Sequence, residues 1–192
     1  MDSVIATPEL DRRPSRLPDS KAENTALLRL TRELSVAPDR FFPTLVKTAL
    51  KLSGADSTGI SLLNKETNRF VWPAVAGELS PYLGAGTPSD FGPCGTVLER
   101  NAPLLFLHPE RYFTYLVDVA PPLEEVLLIP FRVAGEAVGT IWAVLHGTER
   151  KFDAEDRRLL EELSAFASSA YQIFLSNGTL DTMLAMQPQG HS

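Results

Sequence analysis

The stretch Glu125–Phe174 decides the fold; its sequence is EVLLIPFRVAGEAVGTIWAVLHGTERKFDAEDRRLLEELSAFASSAYQIF. An apolar run at Val126–Val133 meets a tight turn at Ala134–Glu136, and a second apolar run at Ala137–His146 follows. The hydrophobic pattern then changes from a strand-like to a helical period just before Asp153. The pattern predicts a β-hairpin followed by a long amphipathic helix that packs on it.

Similar patterns upstream of the hairpin predict further strands and helices. The predicted strands are Ala55–Leu63, Arg69–Ala76 and Pro103–Leu107. The predicted helices are Ala22–Leu34, a segment capped by Asp39 and ended by Gly54, Cys94–Arg100, and Glu110–Val117. Most strands are followed by an antiparallel partner, so we predict an α+β fold. Its centre is an antiparallel sheet of about five or six strands with helices on both faces.

The chain has 192 residues, which is enough for one well-buried core. Residues 1–21 contain Pro8, Pro14 and Pro18 with mixed charges and no apolar period, so a disordered tail is predicted there. Residues 22–176 form the predicted domain, including its terminal helices. Residues 177–192 form a C-terminal extension.

Composition excludes several classes of function. The net charge of −6 disfavours nucleic-acid binding, because tracking phosphates needs a basic face. No apolar run is long enough for a membrane span or a signal peptide, which predicts a cytoplasmic protein. The single cysteine excludes an internal disulfide, and the three histidines lack metal-ligand spacing, so no metal site is predicted.

Thr140 and Trp142 lie on the same face of the second hairpin strand, because side chains alternate along a strand. This face is bulkier and partly polar, whereas the other face carries small residues that allow a helix to approach. Two interpretations remain open: Thr140 and Trp142 form the floor of a ligand pocket, or Trp142 is an ordinary core residue.

Cys94 lies at a predicted helix start, where the helix dipole favours a thiolate. The pattern is compatible with thiol redox sensing, with covalent attachment of a chromophore, or with a small buried side chain that fits a tight turn.

A dense polar and aromatic cluster occupies residues 108–113. Arg111 could bind a carboxylate or phosphate with two hydrogen bonds, and His108 could donate or titrate. Tyr112 or Tyr115 could stack on a ligand ring. The alternative is a helix start with a surface arginine. The predicted ligand-binding residues are Cys94, His108, Arg111, Tyr112, Thr140 and Trp142; no catalytic residue is predicted.

The succession of elements over roughly Asp39–Phe174 resembles a GAF domain. The segments that carry this resemblance are Ala55–Leu63, Phe91–Leu98, Asn101–Phe106, the hairpin glycines Gly135 and Gly139, and Phe152–Asp156. The resemblance implies a sensor domain that holds a small molecule between the sheet and the mid-domain helices and loops. It also implies a homodimer formed through the terminal helices.

We therefore expect a signal-transduction sensor that is not an enzyme. Its small-molecule ligand and any cofactor are unidentified, and its output partner is a histidine kinase or another signalling protein. One alternative is a ligand-free protein-interaction or dimerisation module. Another is a thiol-dependent enzyme of the free methionine sulfoxide reductase type, although those relatives use more than one cysteine and this chain has one.

Overall fold

Five strands form one antiparallel sheet in the computed structural model, which describes residues 1–188. The strands are β1 (Ser57–Asn64), β2 (Arg69–Gly77), β3 (Leu104–Leu107), β4 (Glu125–Val133) and β5 (Glu136–Leu145). Their spatial order is β2-β1-β5-β4-β3, and every neighbouring pair is antiparallel. The strand β5 therefore lies at the centre of the sheet.

Helices cover both faces of this sheet. They are α1 (Glu9–Arg12), α2 (Ser20–Val36), α3 (Phe41–Ser53), α4 (Pro93–Arg100), α5 (Ala154–Asn177) and α6 (Thr179–Leu184). Residues of α2, α3, α5 and α6 share one hydrophobic core with the sheet, and α4 contributes to a second core on the other face. The predicted α+β class, with an antiparallel sheet between helices, is confirmed. No helix within residues 1–188 is long and apolar enough to cross a membrane.

The β4–β5 hairpin forms where the sequence predicts it. Val133 pairs with Glu136, and the two residues between them, Ala134 and Gly135, have φ angles of +52° and +85°. A two-residue turn with positive φ at both positions matches the twist of the flanking strands. The turn sets the register of the first two pairs, and a register shift between Phe131 and Arg132 then brings Ile129 opposite Ile141.

The following helix α5 has a strong start signal. Asp153 accepts a hydrogen bond from the backbone nitrogen of Asp156 at 3.0 Å, and Asp156 accepts one from the backbone nitrogen of Asp153 at 3.0 Å. This reciprocal capping box satisfies two backbone donors at the helix start. Leu159 and Leu163 then face the sheet core, as the apolar period indicates.

The segment predicted as a helix at Glu110–Val117 is different in the structure. It forms two short 3-10 turns, Pro109–Arg111 and Thr114–Leu116, separated at Phe113. Phe113 has φ −91° and ψ 79°, which breaks a continuous helix, and its side chain is buried in the second core. Burial of this ring therefore overrides local helical preference.

Residues 1–21 also differ from the predicted disordered tail. Val4 and Leu10 are buried, and Ile5 forms a bridge with Phe106 on the edge strand β3. The segment continues across the sheet end towards α5, so it covers the edge of β3 instead of extending into solvent.

Two arginines anchor this N-terminal segment. Arg13 donates to both carboxylate oxygens of Glu125, each at 2.9 Å, and Arg16 donates to Asp156 at 2.8 Å. Both carboxylates are fully buried. The local sequence around Glu125 and Asp156 does not indicate that these acids are buried, so it predicts no anchor for residues 1–21.

Replacement of Arg13 by alanine should lower the free energy of unfolding by about 1–3 kcal/mol, because Glu125 would lose its bidentate partner while staying buried. Urea unfolding measures the change. Arg12→Ala is the matched control, since Arg12 pairs only with exposed Glu9 among the described residues; we expect a loss below about 0.5 kcal/mol. Equal losses in the two variants would contradict an anchoring role for Arg13.

Candidate functional site

A cavity lies between the second face of the sheet and the segments that cover it. It measures about 50 Å³ when counted as the space open to the centre of a water molecule. That is room for a few waters or for a small ligand after modest adjustment of the walls. The lining residues come from β2, β4, β5, α4, the 3-10 turns and the loops between these elements: Trp72, Leu79, Thr87, Pro93, Cys94, Pro109, Leu116, Val119, Leu123, Val126, Leu128, Trp142 and Val144.

A connected network of buried polar side chains, called the floor network below, lies under the cavity, and two of its members, Cys94 and Trp142, line it. The Trp142 indole donates to Ser61 Oγ at 3.1 Å, and Cys94 Sγ donates to the same oxygen at 3.4 Å. The Thr140 hydroxyl lies 3.6 Å from Cys94 Sγ and donates to it. A fully connected network of this kind fixes its members in place.

A glycine makes room for the indole in this network. Gly59 lies opposite Trp142 in the β1–β5 pairing, and a Cβ atom at Gly59 would come within 2.1 Å of the Trp142 ring. Trp142 also packs against Trp72, with ring centroids 5.4 Å apart and an interplanar angle of 59°. The two indoles form one aromatic wall of the cavity.

Three further polar atoms near the cavity have no hydrogen-bond partner among residues 1–188. They are Trp72 Nε1 and Thr87 Oγ1, whose residues line the cavity, and the hydroxyl oxygen of Tyr115, which lies beside Thr87 outside the lining; all three are shielded from solvent. The two other unpartnered atoms in the described chain belong to Glu110 and Arg150, which do not line the cavity. Buried polar atoms normally have partners, so three together mark a place where a bound molecule could supply them.

Burial keeps the titratable groups here protonated. It raises the pKa of the Cys94 thiol, and the neighbouring hydroxyls of Ser61 and Thr140 oppose this shift only in part. Burial also raises the pKa of Tyr115 far above its ordinary value. The Thr87 hydroxyl approaches both groups closely enough to oppose these shifts, without reaching hydrogen-bonding geometry. Cys94 is therefore a neutral thiol at physiological pH, which makes it a poor nucleophile.

The structure brings together three of the six predicted site residues. Cys94 and Trp142 line the cavity, and Thr140 supports Cys94 from behind. The alternating faces of β5 produce this arrangement, because Thr140 and Trp142 point towards α4 while Ile141 and Ala143 point towards the opposite core.

His108, Arg111 and Tyr112 do not line the cavity. His108 lies between two carboxylates, with Nε2 at 3.4 Å from Glu124 and Nδ1 at 3.6 Å from Glu110. Arg111 is exposed, and Tyr112 is 39% exposed. The 3-10 turns direct Pro109 and Leu116 inwards and leave these polar side chains outside. The predicted placement of His108, Arg111 and Tyr112 beside the pocket is therefore corrected.

Sequence reasoning did not assign Trp72 or Thr87 to the site, and it named Tyr115 only as an alternative ring. In the β1–β2 pairing, a register shift between Ile60 and Leu62 interrupts the alternation of side chains along β2. Alternation is the pattern from which the face of Trp72 would be predicted. The extra residue there turns Trp72 and Val75 to the cavity face and Ala74 to the other core, so strict alternation fails. Thr87 lies in a loop whose course depends on tertiary contacts.

Replacement of Gly59 by alanine should displace the Trp142 indole and break its hydrogen bond to Ser61. We expect a loss of about 1–3 kcal/mol in unfolding free energy and a changed near-ultraviolet circular dichroism spectrum. Gly147→Ala is the control, because a Cβ at Gly147 meets nothing within 4 Å. An unchanged tryptophan spectrum in Gly59→Ala would show that the indole tolerates the methyl group.

Comparison with known proteins places this geometry in a family. A family model of the GAF domain matches residues 35–172. The GAF domain of a phosphoenolpyruvate-protein phosphotransferase from Acinetobacter is similar, with 17% identity and a TM-score of 0.69, covering 83% of this chain and 97% of that one. The GAF-B domain of DevS from Mycobacterium smegmatis has 23% identity and a TM-score of 0.59, covering 74% and 98%. No curated protein sequence matches the chain.

Enzymes also share this fold. Free methionine-R-sulfoxide reductase from Neisseria meningitidis, solved with its substrate, has 14% identity and a TM-score of 0.64, covering 86% of this chain and 97% of that one. Two further reductases of this type match at 14% and 16% identity. The prediction that the chain is not an enzyme is therefore wrong as an inference from the fold, since the same fold supports catalysis.

No group of three or more His, Cys, Asp or Glu side chains within residues 1–188 is arranged to hold a metal ion. The site in the described chain is instead an apolar cavity with a polar floor, set between a central antiparallel sheet and a short mid-domain helix. Because the family model also covers more than half of the sequence, the chain belongs to the GAF domain family, a family of sensor and signalling domains.

Proposed function

We propose that this GAF domain is a sensor that binds a small molecule in the cavity between the sheet and α4. The observation that carries the proposal is the set of unpartnered buried donors on Trp72, Thr87 and Tyr115 beside an otherwise apolar cavity. Of the residues singled out from sequence, Cys94 and Trp142 would contact the ligand, and Thr140 would hold Cys94 in place.

The sheet offers a direct route from the cavity to the terminal helices. Val126 and Leu128 of β4 line the cavity, while Leu127 and Ile129, which alternate with them, pack in the core shared with α3 and α5. A ligand that shifts β4 by a fraction of an ångström changes packing on both faces, because the core is close-packed. The proposed signal is therefore a movement of α5 and of α2, which packs on α3.

The terminal helices also present apolar side chains to solvent. Leu28 on α2 and Leu175 on α5 are exposed. We propose that a second copy of the chain covers them, giving a homodimer whose helices transmit the signal to a separate cytoplasmic partner such as a histidine kinase.

A ligand-free interaction module is the second candidate function, and the small size of the cavity favours it. Ligand pockets for drug-sized molecules measure roughly 300–1,000 Å³, and this cavity is much smaller. In this alternative, Trp72 and Trp142 fill the pocket themselves, and the domain acts through its surface alone.

Thiol chemistry has less support from the geometry than ligand binding. Cys94 is buried, its pKa is raised, and both of its hydroxyl partners, Ser61 and Thr140, belong to the floor network. Methionine sulfoxide reduction by the purified chain, measured with and without Cys94→Ser, tests this third candidate directly. Cys94-dependent turnover would establish the thiol mechanism.

Native mass spectrometry of the domain purified without added ligand distinguishes the first two candidates. The sensor proposal predicts an excess mass that is lost on denaturation. Val119→Phe should reduce the ligand-bound fraction at least tenfold, since Val119 lines the cavity at a half-buried position and the larger ring would fill it.

Val117→Phe is the matched control, because Val117 is 62% exposed and does not line the cavity. We expect it to keep the excess mass. A bare mass in the wild-type protein would favour the interaction module, and an excess mass that survives Val119→Phe would place the ligand elsewhere.

The dimer proposal predicts that Leu28→Lys shifts the protein towards the monomer in light scattering after size exclusion. A charge at this position would have to be buried in the proposed interface, which should weaken association at least tenfold. Leu17→Lys serves as the control, because Leu17 is exposed but precedes α2. A wild-type monomer at high micromolar concentration would refute the dimer.

A further inference from the structure

The cavity contains no charged side chain. Of its lining residues, Cys94 alone can titrate, and its thiol stays protonated in this environment. A ligand with a net charge would be removed from water without a counter-ion, which costs several kcal/mol. The lining therefore selects an uncharged molecule.

The floor network leaves no free donor for a ligand. The Trp142 indole and the Cys94 thiol both donate to Ser61 Oγ, and neither Ser61 nor Thr140 lines the cavity. The available hydrogen-bonding groups are those of Trp72, Thr87 and Tyr115, none of which has a partner within residues 1–188.

One of these groups requires an acceptor, and the other two can use one. The indole N–H of Trp72 can only donate, so its partner must be an oxygen or nitrogen with a free lone pair. Thr87 is only 4% exposed, and its hydroxyl and that of the protonated Tyr115 can donate as well. Leaving such donors unpaired costs about 1–3 kcal/mol each, and one carbonyl-type oxygen could relieve two of them.

The walls select an apolar body. The Trp72 and Trp142 rings form one side of the cavity, and aliphatic residues such as Leu116, Leu128 and Val144 form much of the rest. Planar groups pack well against indole faces. An aromatic ring therefore fits this wall better than a polyhydroxylated body, whose hydroxyls would find few partners.

We propose that the cavity binds a small uncharged molecule with an apolar, preferably aromatic, body and one carbonyl-type hydrogen-bond acceptor directed at Trp72 and Thr87. This inference rests on the proposed sensor function and specifies its ligand class. It excludes nucleotides, organic acids and amines as occupants of this cavity.

Three probes of the same skeleton test the ligand class: acetophenone, cumene and benzoate. Acetophenone carries a neutral hydrogen-bond acceptor, cumene carries no acceptor, and benzoate carries a negative charge. Dissociation constants come from titrations followed by nuclear magnetic resonance. The chain has two tryptophans, so the indole N–H of Trp72 is identified as the signal missing from Trp72→Phe. We expect acetophenone to move this signal and benzoate to bind at least tenfold more weakly than acetophenone.

Two variants separate the contribution that the acceptor of the probe makes to binding from the contribution of its apolar body. Thr87→Val removes a donor and keeps the shape of the side chain nearly constant, so it should weaken acetophenone binding about three- to tenfold, which corresponds to one hydrogen bond, and change cumene binding less than twofold. Trp72→Phe removes a donor and also makes the wall smaller, so it should weaken the binding of both probes, and that of acetophenone about three- to tenfold more than that of cumene. Tyr171→Phe is the control, because Tyr171 packs on the opposite core. Unchanged melting temperatures would show that the variants remain folded.

The outcomes separate the ligand class from the sensor function. Equal weakening of acetophenone and cumene by both variants, or benzoate binding as tightly as acetophenone, would overturn the ligand class and leave ligand binding intact. If none of the three probes bound at millimolar concentration, the ligand class would also fail. If the wild-type protein then also showed a bare native mass, the sensor function would fail with it.

Discussion

Every residue of β5 from Gly139 to Leu145 is buried, so the central strand must be covered on both faces. One face is covered by α3 and α5, which pack regularly against Ile141, Ala143 and Leu145. The other is covered by α4, short 3-10 turns and the N-terminal segment. Irregular elements pack less completely than a helix pair, and it is on this second face that the cavity lies.

Burial also affects two acidic side chains, one at the start of a strand and one at the start of a helix, because a buried carboxylate needs a charged partner. Glu125 begins β4 and Asp156 lies in the first turn of α5, and both are fully buried. Arg13 and Arg16 supply the opposite charges, and Arg150 adds two more hydrogen bonds to Asp156. A buried charge without a partner is strongly destabilising. The ion pairs that Arg13 and Arg16 form with these acids therefore hold the N-terminal segment across the end of the sheet. The segment consequently joins the cavity-side core, through Val4, to the start of α5.

Polarity is distributed unevenly around the cavity. Hydrogen bonds join the floor groups Ser61, Cys94, Thr140 and Trp142 to one another, which fixes them in place. The polar atoms of Trp72, Thr87 and Tyr115 are left without partners in the described chain. Trp72 packs on the fixed Trp142 ring, so its donor is held in place before a ligand arrives, which suits it to recognising an acceptor on an apolar molecule. The wider GAF fold includes both signalling domains and sulfoxide reductases, so the function of this chain depends on these side chains and not on the fold itself.

The sequence by itself determined the β4–β5 hairpin, the start of α5 at Asp153 and the α+β class, because strand alternation, a tight turn and a change of hydrophobic period are local signals. It also identified Thr140 and Trp142 as neighbours on one face of β5, since alternation along a single strand needs no tertiary information. Only the tertiary structure decided that Trp72 reaches the cavity, because a register shift between β1 and β2 reverses its face. It likewise decided that His108, Arg111 and Tyr112 point away, and that residues 1–21 pack on the domain. Those outcomes depend on which residues far apart in the sequence are buried together, such as Glu125 with Arg13. A local sequence pattern does not indicate such pairings.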